Sequence, residues 1–109
     1  MSKHRLEVLE RLADTVGERA GAAPESSYTA KLLSQGTEKC AKKVGEEAVE
    51  LALAAMTPDR DHLISETADL LYHVLVLLQG SGVPLSAVMG ELERRMERGG
   101  LSEKAARKF

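Results

Sequence analysis

The sequence predicts an all-α protein, a bundle of about four to five helices. Apolar residues recur at three- and four-residue spacing in successive segments, and no segment alternates polar and apolar residues as a strand would. Trp is absent and the chain has only two Tyr and one Phe, so Leu, Val, Ala and Met must build the core, a composition that favours helices. With 109 residues the chain is expected to form one domain, residues 1–109.

Two helices are expected in the first third of the chain. Residues 3–19 carry an apolar stripe between charged neighbours, and the segment 21–24 ends this pattern. Ser26 and Ser27 can cap a short helix that follows. Gly36 is placed to end that helix in a left-handed conformation.

The third helix is expected to start at Thr37, a candidate N-cap, and to run to about Met56. Thr57, Pro58 and Asp59 break it, and Pro58 can open the next helix from a first helical position. Charged residues fall on one line along this third helix: Lys39, Lys43, Glu46 and Glu50. On the opposite side we expect a buried face made of small and apolar residues: Ala41, Val44, Ala48, Leu51, Ala52 and Ala55.

The fourth helix is expected over residues 60–79, and it is apolar around most of its circumference. Such a helix is usually buried, so it needs cover on all sides. The segment 80–82 stops it, and Pro84 opens a last helix that ends at 99–100. The charged tail, 99–109, is expected to be mobile.

Composition excludes several classes of function. Seventeen acidic and fifteen basic residues give a net charge of -2, which is not the balance of a nucleic-acid-binding protein. The longest apolar run, 70–78, falls far short of the about 20 residues that cross a bilayer. We therefore expect a cytoplasmic protein with no nucleic-acid or membrane partner. Cys40 is alone and is predicted to be an ordinary buried thiol on the apolar side of its helix.

Two clusters of acids at helical spacing are the most informative feature of the chain. Glu46, Glu47 and Glu50 lie on the third helix, where they are compatible with a solvated face of mixed charge. Glu66 and Asp69, by contrast, interrupt the apolar fourth helix. Ionised carboxylates buried without a partner are costly, so something must pair with this second cluster.

Two kinds of partner are possible. Lysine or arginine could complete a structural ion network, or a divalent cation could sit between acids spaced i to i+3 on facing helices: Glu47, Glu50, Glu66 and Asp69. All-oxygen ligation suits Mg²⁺ or Mn²⁺ and argues against zinc. A di-iron centre would use Glu-x-x-His pairs, which the chain lacks. His73 is better suited to hydrogen-bond the acids or to act as a donor on the substrate side.

Basic residues accompany the acids. Lys39, Lys42 and Lys43 precede the glutamates by one to two helical turns and can hold phosphate oxygens. Arg94 and Arg95 on the last helix invite the same interpretation. A solvated basic surface remains the alternative for both groups, and it is the stronger one for the arginines, which lie toward the C-terminal end of their helix.

Taken together, the motifs resemble a known family: Ser27-Tyr28-Thr29, then Lys42-Lys43-x-Gly45-Glu46-Glu47-x-x-Glu50, then Glu66-x-x-Asp69-Leu70-Leu71-Tyr72-His73. Over about residues 27–98 the chain is similar to the phosphoribosyl-ATP pyrophosphatases, within the all-α MazG-like nucleotide pyrophosphohydrolase superfamily. The acid pairs are shared by the whole superfamily. The Ser-Tyr-Thr opening, the lysine run and the Leu-Tyr-His ending point to this family within it.

The resemblance implies Mg²⁺-dependent hydrolysis of phosphoribosyl-ATP to phosphoribosyl-AMP and pyrophosphate, the second step of histidine biosynthesis, with Mn²⁺ as a possible substitute. It implies that Glu47, Glu50, Glu66 and Asp69 bind the metal. Glu46 would be an additional ligand or would orient the attacking water. The family usually works as a homodimer, and the apolar fourth helix gives an independent reason for one, because the other helices are short.

Two alternatives stay open. One lies within the superfamily, a house-cleaning pyrophosphatase of dUTP or of noncanonical nucleoside triphosphates. The other belongs to a different class, a non-enzymatic helical interaction module in which the acids form a structural ion network. A panel of triphosphates separates the first alternative from the family assignment, and stabilisation by Mg²⁺ separates the second.

Overall fold

A computed structural model describes the backbone of residues 3–98 and the side chains of residues 5–97. A short 3₁₀ helix, Lys3–Leu6, leads into five α-helices: α1 (Glu7–Arg19), α2 (Tyr28–Ser34), α3 (Thr37–Ala54), α4 (Arg60–Gly80) and α5 (Leu85–Arg98). The described residues contain no strand, so the all-α prediction is confirmed. The prediction of a mobile tail falls on 99–109, outside the described residues.

The caps of α2 follow the prediction. The hydroxyl of Ser27 accepts a hydrogen bond from the backbone N–H of Ala30 at 3.2 Å, which satisfies one of the free amides at the start of the helix. Gly36 follows the end of α2 with a φ of 94°, a conformation that a residue with a side chain rarely adopts.

Two predicted capping roles are wrong, although α4 begins at residue 60 as predicted. Gly36 itself holds the N-cap position of α3, so Thr37 is the first helical residue and makes no cap. One glycine therefore both ends α2 and precedes α3. At the next break Asp59 is the N-cap of α4, because its Oδ1 accepts from the backbone N–H of His62 at 3.1 Å, and Pro58 does not hold a first helical position.

The core is built from four of the five helices. A cluster of buried residues joins α1, α2, α3 and α4: Val16, Leu32, Cys40, Leu75 and Val76. Helices α3 and α4 make the most extensive contact, and α1 and α2 pack against this pair. The Cys40 thiol is buried as predicted, and its Sγ donates to the carbonyl of Leu32 at 3.5 Å.

The buried face of α3 differs from the predicted one. Cys40, Glu47 and Ala54, spaced seven residues apart, are buried, whereas Ala48 and Ala52 are exposed. Ala41 and Ala55 are also exposed, and only Val44 and Leu51 of the predicted face are partly buried. Burying a methyl group gains little free energy, so the alanines of α3 do not decide which side of the helix packs. The consequence is that Cys40 shares its side of the helix with Glu47.

The composition of α4 predicted a helix that is covered on all sides, and the structure differs. His73, Leu75 and Val76 are buried, but Ile64 and Leu71 are 51% and 44% exposed. The apolar circumference of α4 therefore leaves a stripe that this chain alone does not cover. Among the described residues no single helix is long and apolar enough to span a membrane, and only the bent pair of α4 and α5, taken together, meets the length and composition of a span.

Candidate active site

Three acids converge where α3 faces α4. Glu47 comes from the buried side of α3, and Glu66 and Asp69 lie one turn apart on α4. One carboxylate oxygen from each of the three lies within 4.8 Å of the others. We call Glu47, Glu66 and Asp69 the acid trio. Its members include three of the four metal ligands expected from the sequence.

Glu66 carries a buried oxygen without a partner. Its side chain is only 16% exposed, and among the described residues its Oε2 finds no hydrogen-bond donor. Its other oxygen, Oε1, lies 3.6 Å from Nε2 of His62, one turn earlier on the same helix. A buried carboxylate oxygen left unpaired is costly, so this atom marks the place where a cation would supply the missing interaction.

The environment of Glu47 disfavours its negative charge. Burial is the largest cause of its raised pKa, followed by a hydrogen bond to the Glu50 carboxyl and by the negative charges of Glu50 and Asp69. The nearby His73 acts in the opposite direction. Glu50, the fourth predicted ligand, therefore adjoins the trio through Glu47, although it lies outside the group of mutually close oxygens.

Glu46 lies beside this cluster and faces a lysine. Nζ of Lys43 is 3.4 Å from Oε1 of Glu46 and 3.9 Å from Oε1 of Glu47. The hydrogen bond to Glu46 is the largest cause of the raised pKa of Lys43, which burial partly offsets. Lys43 thus holds a positive charge at the edge of the trio. Lys39 and Lys42 are exposed on the same helix.

The two candidate arginines lie on α5 and pair with an acid of that helix. Nε of Arg94 is 3.0 Å from Oε1 of Glu91, and Nε of Arg95 is 3.0 Å from Oε2. These bonds lower the pKa of Glu91 to about 2. The structure therefore bonds both arginines to an acid of their own helix.

An aromatic group adjoins the trio, and the candidate residues from the sequence included only one of its members, His73. Nδ1 of His73 lies 2.9 Å from the backbone carbonyl of Asp69, and Nε2 lies 3.4 Å from the hydroxyl of Tyr28. Tyr72 pairs its hydroxyl with that of Thr29, which ties α4 to α2. The signal for Tyr28 and Tyr72 was present in the sequence, since both lie in the motifs that carry the family resemblance and aromatic residues are rare in this chain.

The class of protein follows from these contacts. An all-α helical pair presents facing carboxylates with an unpaired buried oxygen, next to a lysine held at their edge. Such a donor set fits a divalent cation of the Mg²⁺ type, and the adjacent lysines suit the oxygens of a phosphate chain. The fold and the site thus define an all-α protein suited to chemistry on a phosphate-containing anion.

Comparison with known proteins narrows this class. Residues 9–96 match the family model described as phosphoribosyl-ATP pyrophosphohydrolase. A phosphoribosyl-ATP pyrophosphatase of Methylobacterium nodulans is 56% identical over 108 residues, which cover 99% of this chain and 98% of the relative. Those of Rhizobium rhizogenes (56% identical, 98% and 100% covered) and Cereibacter sphaeroides (58% identical, 94% and 99% covered) are similar throughout. The chain belongs to the phosphoribosyl-ATP pyrophosphohydrolase family.

Proposed function

We propose that this protein hydrolyses phosphoribosyl-ATP to phosphoribosyl-AMP and pyrophosphate, the second step of histidine biosynthesis. The acid trio with its unpaired Glu66 oxygen is the observation that carries the proposal, because it provides a site for the cation that a triphosphate needs. The names of relatives that are 55 to 58% identical over nearly the whole chain support the choice of substrate. We place the activity in a single domain, residues 1–109, and in the cytoplasm.

The residues present fit Mg²⁺, with Mn²⁺ as a substitute. Glu47, Glu66 and Asp69 offer carboxylate oxygens at mutual distances that one ion can bridge, and Glu50, whose carboxyl is hydrogen-bonded to that of Glu47, is the proposed fourth ligand. When bound, such an ion neutralises charge on the triphosphate and lowers the pKa of a coordinated water. The raised pKa of Glu47 supports this assignment, because burial and then the neighbouring acids disfavour its negative charge, which a cation would balance.

The remaining charged residues act on the substrate and on water. Lys43 holds its ammonium at the edge of the trio and binds an oxygen of the phosphate chain, with Lys39 and Lys42 extending the positive charge along α3. Glu46 lies outside the trio and is paired with Lys43, and we assign it to orienting the attacking water. Arg94 and Arg95, which are bonded to Glu91, stay further candidates for binding the phosphate chain.

The protein is proposed to be a homodimer. Two apolar stripes are exposed on and beside the central helices: Val49 and Leu53 on α3 with Met56 in the turn that follows it, and Ile64 and Leu71 on α4. Val49, Leu53 and Met56 are 59%, 63% and 83% exposed. Side chains of this type are normally buried in a domain this small, so a second copy that covers them stabilises both chains.

The test is turnover of phosphoribosyl-ATP with Mg²⁺, followed by release of pyrophosphate, alongside ATP, dUTP and noncanonical nucleoside triphosphates. We expect phosphoribosyl-ATP to react fastest by kcat/KM, and a chelator to stop the reaction. Faster hydrolysis of dUTP or of a noncanonical triphosphate would replace the proposed substrate with the house-cleaning alternative. Variants of the trio are compared with Glu10→Gln, which removes an exposed acid of α1 that does not belong to the trio.

A non-enzymatic interaction module makes a different prediction. If the acids formed only a structural ion network, Mg²⁺ would leave the melting temperature unchanged, and no triphosphate would be hydrolysed. A metal site gives stabilisation that grows with the concentration of Mg²⁺. Growth of a histidine auxotroph that lacks this step, after expression of the chain, tests the reaction in a cell.

A further inference from the structure

Both tyrosines of the chain lie together beside the acid trio. The ring centroids of Tyr28 and Tyr72 are 6.3 Å apart and the rings are inclined by 21°, a stacked arrangement. His73 meets both rings edge-on, at centroid distances of 6.2 Å and 5.0 Å. The chain has no Trp and a single Phe, at position 109 outside the described residues. In the part of the chain that the structure describes, the Tyr side chains are therefore concentrated at one place, next to the site.

The ring of Tyr28 is held in a fixed orientation. Because the carbonyl of Asp69 can only accept, the hydrogen bond at 2.9 Å requires a proton on Nδ1 of His73. In the neutral imidazole Nε2 is then an acceptor, and the hydroxyl of Tyr28 donates to it at 3.4 Å. This chain of contacts connects the ring to Asp69, a member of the acid trio.

The other face of Tyr28 is open. The side chain is 53% exposed, although Tyr72 and His73 contact the ring. It borders a cavity of 560 Å³ between the end of the loop that follows α1 and the start of α2, lined by Pro24, Glu25, Ser26, Ser27, Tyr28 and Lys31. A rigid aromatic ring with one free face is a surface on which a planar base can stack. Lys31 adds a positive charge at the rim, which suits an anionic substrate.

We infer that Tyr28 stacks on the adenine ring of the substrate and thereby sets its affinity. This inference rests on the proposed function. The triphosphate lies at the acid trio and Lys43, and the adenine is attached to the same molecule, so a base platform must lie beside these residues. Tyr28 meets this condition, since His73 touches its ring and is bonded to Asp69. Tyr28 is thus a residue that determines affinity for the base of the substrate.

The experiment compares Tyr28→Leu with Tyr28→Phe in steady-state turnover of phosphoribosyl-ATP. Phenylalanine keeps the ring face and loses only the hydroxyl, so its KM stays close to that of the wild type. Leucine keeps apolar volume without a flat face, and KM rises about ten- to a hundred-fold with a smaller change in kcat. A wild-type KM in Tyr28→Leu would overturn the inference, and so would an equal loss in both variants, since the hydroxyl and not the ring would then matter.

Tyrosine fluorescence provides a second readout in a chain without Trp. Titration with phosphoribosyl-AMP, the proposed product, should quench the tyrosine fluorescence of the wild type and of Tyr28→Phe to different extents, because only the wild type has a tyrosine in contact with the base. Circular dichroism and the melting temperature of each variant check that the fold is kept. A wild type without turnover would overturn the proposed function and this inference together. An active wild type with unchanged KM in Tyr28→Leu would overturn the inference alone.

Discussion

At the scale of single residues, the unpaired oxygen of Glu66 is the most informative atom. Carboxylates on a solvated helix face satisfy themselves with water, but this oxygen is buried and has no donor among the described residues. Its neighbours Glu47 and Asp69 are also acids, so they add to the unfavourable charge and do not relieve it. The trio is therefore destabilising in the protein alone, and we expect a bound cation to make it favourable.

Conservative replacement of the acids tests their role as ligands. Glu50→Gln and Asp69→Asn keep the shape of each side chain and remove its charge. We expect turnover to fall by roughly a hundredfold or more in either variant, while circular dichroism shows the helical fold intact. Glu10→Gln should retain wild-type turnover. Full activity in Glu50→Gln or Asp69→Asn would contradict the ligand assignment.

The raised pKa of Glu47 predicts how stability depends on pH. The folded-state pKa lies above the ordinary value of 4.5, so the stability that this group contributes without metal is fully present below that value. It is lost as the pH rises through the raised pKa, because folding then holds an unfavourable charge. Mg²⁺ should therefore raise the melting temperature more at about pH 7.5 than at about pH 5, where protons compete with it.

Differential scanning fluorimetry with and without Mg²⁺ at both pH values measures this effect, with an extrinsic dye because the chain has no Trp. Glu47→Gln is the matched variant, since it keeps the size of the side chain and cannot ionise. It should show a smaller response to Mg²⁺ and a smaller change between the two pH values. An equal response in this variant and in the wild type would exclude Glu47 as a ligand.

Much of the site could be predicted from the sequence at this scale, and the missing part has a physical reason. Helical spacing alone indicated that Glu66 and Asp69 share one side of a helix, and the apolar residues around them indicated the need for a partner. Periodicity says nothing about the angle between two helices. Whether Glu47 or Glu46 faces α4 depends on that angle, and the structure selects Glu47, leaving Glu46 to pair with Lys43.

At the scale of elements, the turn between α2 and α3 shows what local sequence does and does not determine. The glycine at position 36 was expected to end α2, and its φ of 94° agrees. Because that residue also takes the N-cap position of α3, the threonine after it is released from the capping role that its residue type suggested. Preference for a cap is a property of the residue type, whereas the position of the helix start depends on the turn before it.

The caps of α3 and α4 predict opposite effects of two similar substitutions. Asp59→Ala removes the acceptor for the first turn of α4, and we expect the free energy of unfolding to fall by about 1 kcal/mol. Thr37→Ala removes no cap hydrogen bond and introduces a better helix former, so it should leave stability unchanged or raise it by a few tenths of a kcal/mol. Urea denaturation of both variants in the same buffer gives the comparison.

A loss of stability in Thr37→Ala equal to that in Asp59→Ala would show that Thr37 caps α3 after all.

Packing between helices also explains the error over the buried face of α3. The predicted face was rich in alanine, and burying an alanine side chain gains little free energy. The orientation of α3 therefore follows the packing of larger neighbours on α1, α2 and α4. A pattern in one helix cannot reveal these neighbours.

At the scale of the whole molecule, the uncovered stripes on α3 and α4 predict self-association. Leu53→Lys places a charge at a residue that is 63% exposed and contributes nothing to the described core, so the monomer fold should survive. We expect the mass in solution, measured by light scattering at several concentrations, to fall by about half relative to the wild type. Gln35→Lys, at the exposed end of α2, is the control for adding a lysine.

A monomeric wild type over the whole concentration range would contradict the proposed dimer. If Leu53→Lys remained dimeric, the interface would lie elsewhere, and the groove between α1 and α5 would be the next surface to examine. That groove is lined by Leu85, Met89 and Leu92 of α5 together with Glu10 and Asp14 of α1. Charge substitutions at Met89 would then test it in the same assay.

The buried thiol of Cys40 provides a probe of local opening in the native protein. Burial raises the pKa of this thiol and so reduces the fraction present as reactive thiolate, and its contact with the Leu32 carbonyl lies in the seam between α2 and α3. A thiol reagent can reach the sulfur only when that seam opens. The rate at which a colorimetric disulfide reagent labels the native chain therefore measures how often α2 separates from α3. A ligand that holds Tyr28 at the start of α2 should lower this labelling rate.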